Sequence, residues 1–182
     1  DGNMVSLINS VFDYFGSGMV VPGTGLLMHD RGVGFTMTEG RANTVGPRKR
    51  PFHTIIPAFV TKTTREAGVL RDAIGDEPFM SFGVMGGAMQ PQGHVQVLLN
   101  VLLFGMDLQQ ANDAARFRHY SGLRVAIEAS VGDDVRAALA ALGHDVADGS
   151  RGAFGGAQMI MKLPRGWAAS SDPRKDGLAI GY

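Results

Sequence analysis

Apolar positions along this chain fall into β-rich runs near both ends and helical repeats between them. Residues 4–12, opening on Met4-Val5-Ser6-Leu7-Ile8, predict a strand. The glycine-rich stretch Phe15-Gly16-Ser17-Gly18 and the turn Val21-Pro22-Gly23-Thr24-Gly25 predict loop, then a short strand over 26–28. Residues 31–50 are polar, carry Gly, Asn and Pro, and show neither period, which predicts a long surface excursion. Runs 52–61 and 79–84 read as neighbouring strands joined by the polar connector 62–78. Beyond Gly87 the period changes. Val95, Leu98, Leu99, Leu102 and Leu103 place a helix over 94–104 with Gly105 as its stop, and a second helix is expected over 108–117. Residues 124–128 read as a short strand. Asp133 or Asp134 is expected to cap a third helix, in which Val135, Leu139 and Leu142 repeat before Gly143. Residues 157–162 and 167–170 predict a hairpin around Pro164-Arg165-Gly166. The sum is an α+β fold, read as a single domain over 1–182.

Composition narrows the function classes. Seventeen basic residues balance seventeen acidic ones, so no net field draws the chain to nucleic acid or an anionic membrane. The longest apolar stretch, 95–104, is interrupted by Gln96 and Asn100 and is far shorter than the roughly 20 residues a bilayer requires. The absence of cysteine removes disulfides and thiolate metal sites; it fits a reducing cytoplasm, slightly favoured here, or a periplasm. The start is unusual, because Asp1-Gly2-Asn3 is a hairpin-turn signal with no strand before it. The expectation is that an upstream strand has been cut away or removed by processing.

The strongest local motif is Phe82-Gly83-Val84-Met85-Gly86-Gly87, followed by Gln90-Pro91-Gln92-Gly93 and a helix. Adjacent glycines let backbone N–H groups converge on a cavity, the geometry of an oxyanion cradle. On local pattern alone a plain strand-to-helix turn is the better reading. No GxSxG elbow, P-loop or HExxH motif supports another chemistry. His53 and His94 have no metal-ligand partner at readable spacing, so no metal site is expected. Arg116 is read as a solvated ion pair rather than a substrate contact. The methionines, including Met85 and Met89, are read as core filling.

Taken in order, Gly16-Ser17-Gly18, Val21-Pro22-Gly23-Thr24-Gly25, residues 43–51 with Lys49-Arg50-Pro51, Gly86-Gly87, residues 107–117 and Ser171-Asp172-Pro173-Arg174 resemble the small subunit of gamma-glutamyltranspeptidases. The resemblance covers essentially the whole chain. It implies the C-terminal part of an αββα N-terminal-nucleophile hydrolase sandwich, whose other half is the large subunit of the same precursor. It also implies autoprocessing that exposes a threonine, roughly nine residues upstream of Asp1 and so outside this chain, whose own α-amine serves as base. The first strand, with the nucleophile, would thus be missing. No cofactor is implied.

The resemblance carries roles onto single positions. Gly86 and Gly87 would form the oxyanion hole, and Ser10 would support the nucleophile with its hydroxyl. Where the transpeptidases hold the glutamyl group with Asn, Gln, Asp and a Ser-Ser pair, this chain has Phe12, Arg31, Gly34 and His53-Thr54. Acceptors for an ammonium are gone, and Arg31 adds a cation suited to a carboxylate. With His29-Asp30-Arg31-Gly32 and Arg50-Pro51-Phe52-His53-Thr54, the pattern is similar to the transpeptidase-like acylases and oxamate amidohydrolases of the family. Ala115 stands where the family usually has Pro. The expected ligand is a small carboxylated amide. The competing expectation is a non-catalytic binding module of the same fold, inactive as a fragment. A sheet edge left open by the missing strand would favour a homodimer.

Overall fold

The computed structural model describes residues 3–63, 77–150 and 152–181. Asp1 and Gly2 of the Asp1-Gly2-Asn3 turn and most of the 62–78 connector lie outside the described residues. The chain divides into two compact units, one of Asp1–Leu7 with Ile56–Tyr182 and one of Ile8–Ile55.

The larger unit is built on an antiparallel sheet of β1 (Ala58–Lys62), β2 (Glu77–Met85), β6 (Gly156–Lys162) and β7 (Trp167–Ser171), in the order β1-β2-β6-β7. Alternation sets its faces. Met80, Phe82 and Val84 of β2 and Ala157 and Met159 of β6 point one way and are buried. They pack on Val97 of α1 (Gln90–Leu102) and on Leu108 and Ala111 of α2 (Leu108–Asp113). Each Val, Leu, Phe or Met among them contributes about 1.5–3 kcal/mol. A second sheet, β3 (Phe117–Ser121), β4 (Arg124–Ile127) and β5 (Asp145–Asp148), pairs β4 and β5 in parallel across α3 (Asp133–Ala141). The β6–β7 hairpin closes as predicted, with Gly166 at φ +81°.

Several expectations are corrected. Residues 3–10 form no ladder: Ser6 Oγ donates to Phe82 O at 3.0 Å and Ser81 Oγ to Val5 O at 2.9 Å, so hydroxyls make the links a strand would make through its backbone. The strand over 26–28 reduces to one bridge, Val20 to Leu27. The run 52–61 becomes a strand only from Ala58, just after Pro57, which has no N–H to donate. The first helix starts at Gln90, because Pro91 in its first turn needs no N–H partner there. It stops before Gly105, at φ +67°. The second helix is six residues long, begun by a capping box between Asp107 and Gln110, and ends when Ala114 takes ψ 136°. Residues 117–121 are strand β3, not helix. Neither aspartate caps α3: Gly132 is the N-cap, and Asp133 and Asp134 occupy the first turn, where their charge meets the helix N-terminus. Met89 is fully buried as expected, but Met85 is half exposed.

The smaller unit is loop-rich. Its only helical turn among the described residues, Arg31–Gly34, is 3-10. Asn43 fastens the excursion that follows: its Nδ2 donates to Gly34 O and its Oδ1 accepts Phe52 N–H at 2.9 Å.

Candidate active site

The Gly86-Gly87 turn is shaped from both sides. β2 ends at Met85, Gly86 takes φ +136° and Gly87 φ +59°, and a 3-10 turn (Gly87–Met89) leads into α1. A Cβ on Gly86 would lie 2.8 Å from the Cα of Gly155; one on Gly155, itself at φ +69°, would lie 2.2 Å from Met85 O. Only two glycines allow these backbones to pass. Below the turn, Met89 is buried and its N–H donates to Gly86 O at 3.1 Å. The N–H groups of Gly87 and Ala88, first in the 3-10 turn, have no partner within it, the usual condition of a helix start. α1 is drawn tightly against β2: a Cβ on Gly93 would meet Val84 Cγ1 at 2.7 Å. His94 lies one turn inside α1 and not at its start. It is buried, with Nδ1 2.6 Å from Gln90 O and Nε2 2.7 Å from Ile56 O, and its ring packs on Phe82.

Close to Gly155 in the chain lies an ion cluster built around Arg116, which sequence reading placed in solvent. Arg116 is 1% exposed, pairs with Asp172 at 2.7 Å and donates to Phe154 O at 3.1 Å. Arg174 grips Glu128 with two bonds of 2.6 Å, reaches Asp172 at 3.1 Å, and donates to Asn112 O and Ala114 O. The Asp172 carboxylate also accepts the N–H groups of Ala157 and Arg174. The cluster therefore ties the end of α2 and the end of β4 to β6 and to the turn after β7. Burial alone would push the Asp172 and Glu128 carboxyls up. Backbone N–H donors and both arginines outweigh it at Asp172, and the Arg174 hydrogen bond leads the same outcome at Glu128, so both sit below their ordinary values. Burial pulls Arg116 down as well, but a guanidinium keeps its charge, so the pair stays ionic.

A pH dependence follows. Because both carboxyls bind protons more weakly folded than unfolded, their contribution is complete above about pH 5 and is lost as pH falls through the carboxylate range toward the folded values. Denaturant unfolding at a series of pH values should show stability falling below about pH 5, and Glu128→Gln should flatten that acid limb. An unchanged slope in the variant would remove Glu128 from the account.

In the smaller unit, Ser10, Phe12 and Arg31 come together. Arg31 is nine-tenths buried; its Nη2 donates to Ser10 Oγ at 2.7 Å, and its guanidinium carbon stands 5.3 Å from the centre of the Phe12 ring. Nη1 is buried without a hydrogen-bond partner among the described residues. Phe12 has φ +82°, a conformation that costs a side-chain-bearing residue about 1–3 kcal/mol. Gly34 is forced by proximity, since a Cβ there would meet Phe52 O at 2.8 Å. Beyond Phe52, Thr54 is buried, while His53 is exposed and accepts the Ile55 N–H on Nδ1 at 3.2 Å. Gly155 and the ion cluster were missed as site-shaping residues. The sequence signals for the cluster are the 107–117 stretch, which holds Arg116, and the closing Ser171-Asp172-Pro173-Arg174 motif.

This mixed α/β unit, with a glycine-shaped strand end and a sheet backed by two helices, matches solved gamma-glutamyltranspeptidase structures, which places it in the N-terminal-nucleophile hydrolase class of fold. Among solved structures, gamma-glutamyltranspeptidase from Pseudomonas nitroreducens superposes with a TM-score of 0.83 at 28% identity, covering 100% of this chain and 94% of that one. Cephalosporin acylase from Bacillus halodurans gives 0.83 at 41% identity, covering 95% of this chain and 31% of that one. The gamma-glutamyltranspeptidase family pattern matches residues 1–182, and the chain belongs to that family. Similar curated relatives include a glutathione hydrolase-like proenzyme of Bacillus subtilis, 35% identical over 100% of this chain and 34% of its own length. An oxamate amidohydrolase proenzyme of Klebsiella pneumoniae is 33% identical over the same shares. The chain thus spans about a third of the length of these relatives.

Proposed function

We propose that this chain is the substrate-binding and oxyanion-stabilising portion of an autoprocessed amidohydrolase or acyltransferase that acts on a small amide bearing a carboxylate. The observation that carries the reading is Arg31: a buried guanidinium bonded to a neutral hydroxyl, with no hydrogen-bond partner at Nη1 among the described residues, carries a positive charge that favours an anionic ligand. A glutamyl ammonium would be repelled there, whereas a carboxylate would be held. Phe12 offers the flat apolar wall beside it. Within the larger unit, the N–H groups of the Gly86-Gly87 turn are donors of the kind that hold the oxyanion formed when an amide carbonyl is attacked. The attacking threonine and the large subunit belong to the rest of the precursor, consistent with relatives that are proenzymes about three times as long. The name of the Klebsiella relative supplies the first substrate to try, oxamate.

The test uses the full-length processed protein. Rapid mixing with oxamate and with short N-acyl amino acids should show an acyl-enzyme burst followed by turnover. Amides lacking the carboxylate should show a raised KM. Absence of burst and turnover with every carboxylated amide would end the proposal.

A further inference from the structure

We infer that Arg31 is also a positioning residue for Ser10, fixing the polarity of that hydroxyl so that Ser10 acts toward the nucleophile only as a hydrogen-bond donor. The inference rests on the reading above together with the family resemblance, by which Ser10 would support the attacking hydroxyl. It comes from counting valences. A serine oxygen has two lone pairs and one proton. Arg31 Nη2 fills one lone pair at 2.7 Å, and the N–H of Phe12 fills the other at 3.0 Å. What remains is the proton of Ser10 itself. Arg31 is buried and Ser10 exposed, so the guanidinium holds the oxygen from the protein side, and with both lone pairs filled the O–H is the group that remains available.

The chain spends structure on this arrangement. Phe12 donates its N–H to Ser10 and, on a backbone of positive φ, lays its ring over the Arg31 guanidinium. The N–H of Arg31 is in turn held by His29 Nδ1 at 3.2 Å. Two consequences follow. Ser10 cannot take the proton of the nucleophile, because it has no lone pair to offer; that proton must go elsewhere, as to an α-amine. Ser10 can donate to the nucleophile's oxygen as negative charge grows on it, and a cation on its own oxygen makes it a stronger donor. One guanidinium then has two tasks: Nη2 polarises Ser10, and its positive charge attracts the substrate carboxylate.

A kinetic double-mutant cycle in the full-length processed protein tests this, run on one carboxylated and one neutral amide. Ser10→Ala and Arg31→Met should each lower kcat roughly tenfold or more on both substrates. The double variant should fall no further than about twofold below Ser10→Ala, because Arg31 acts on kcat through Ser10. Arg31→Lys, which keeps a charged donor, should recover part of kcat, and Arg31→Gln gives the same comparison should Arg31→Met not fold. Losses that multiply in the double variant would overturn the inference. So would an Arg31→Met protein whose only change is a raised KM for the carboxylated amide, since Arg31 would then serve the substrate alone. A wild type that turns over no amide removes the amidohydrolase reading and this role with it; an active wild type with independent losses removes only this role.

Discussion

Arg116→Met should destabilise the protein by about 3–5 kcal/mol, which for a chain of this size lowers Tm on the order of 10 °C. The side chain is 1% exposed and its partner Asp172 is equally inaccessible, so its loss leaves a carboxylate in the interior. Arg174, at 3.1 Å, would be the remaining cation beside Asp172, and it is already committed to Glu128 and two carbonyls. The effect is therefore one of stranded charge rather than lost attraction. That distinction makes a second expectation: Arg116→Met combined with Asp172→Ala should cost clearly less than the two single changes added together, since neither charge is then left alone. Guanidinium or urea unfolding of the three variants measures both statements. An Arg116→Met protein within about 1 kcal/mol of wild type would show that the pair contributes nothing beyond its own desolvation.

Gly86→Ala should lower kcat by about 10²–10³-fold in the full-length enzyme, the loss expected when an oxyanion donor is moved. The added methyl has no place: it would stand 2.8 Å from Gly155 Cα and 3.3 Å from Met89 Cβ, on a backbone at φ +136°. The turn must shift, and its N–H groups with it. Gly87→Ala is the matched comparison, because a Cβ there meets nothing within 4 Å and φ +59° is the left-handed region that alanine enters at a cost of roughly 1–2 kcal/mol. Its kcat should fall much less. Steady-state kcat and the burst amplitude together separate a displaced donor from a smaller active fraction. If Gly86→Ala turns over like wild type, the turn is only a connection between strand and helix.

Much of this was legible in the chain. Leu98, Leu102 and their neighbours announced α1, and Pro164-Arg165-Gly166 announced the β6–β7 hairpin, because both signals are local. The failures share the opposite property. Helix α2 was extended to residue 117 because nothing nearby says that Ala114 must leave the helix; the structure shows the chain turning there on its way to bury Arg116 against Asp172. The strand β3, reading Phe-Arg-His-Tyr-Ser, is mostly exposed and has no alternation to betray it. It is defined by its pairing with β4 and by Gln92 and Gln96 of α1, whose side chains bond the backbone of His119 and Phe117. At the site, Arg31 stood out by its type, since a cation replaces an amide. Its grip on Ser10 did not, because the two residues meet only through a folded loop.

The Gly86–Gly155 contact bears on what could be transplanted from this protein. Residues 82–94 contain the glycine pair, the 3-10 turn and the first helical residues, and they look like a self-contained cassette. They are not one. The turn passes over Gly155 at the entry to β6, and a side chain there would collide with Met85 O. A host strand bearing valine or isoleucine opposite the grafted turn would push it open. The smallest portable unit is the end of β2 together with the start of β6, two pieces of chain far apart in sequence whose value to each other lies in the side chains that neither has.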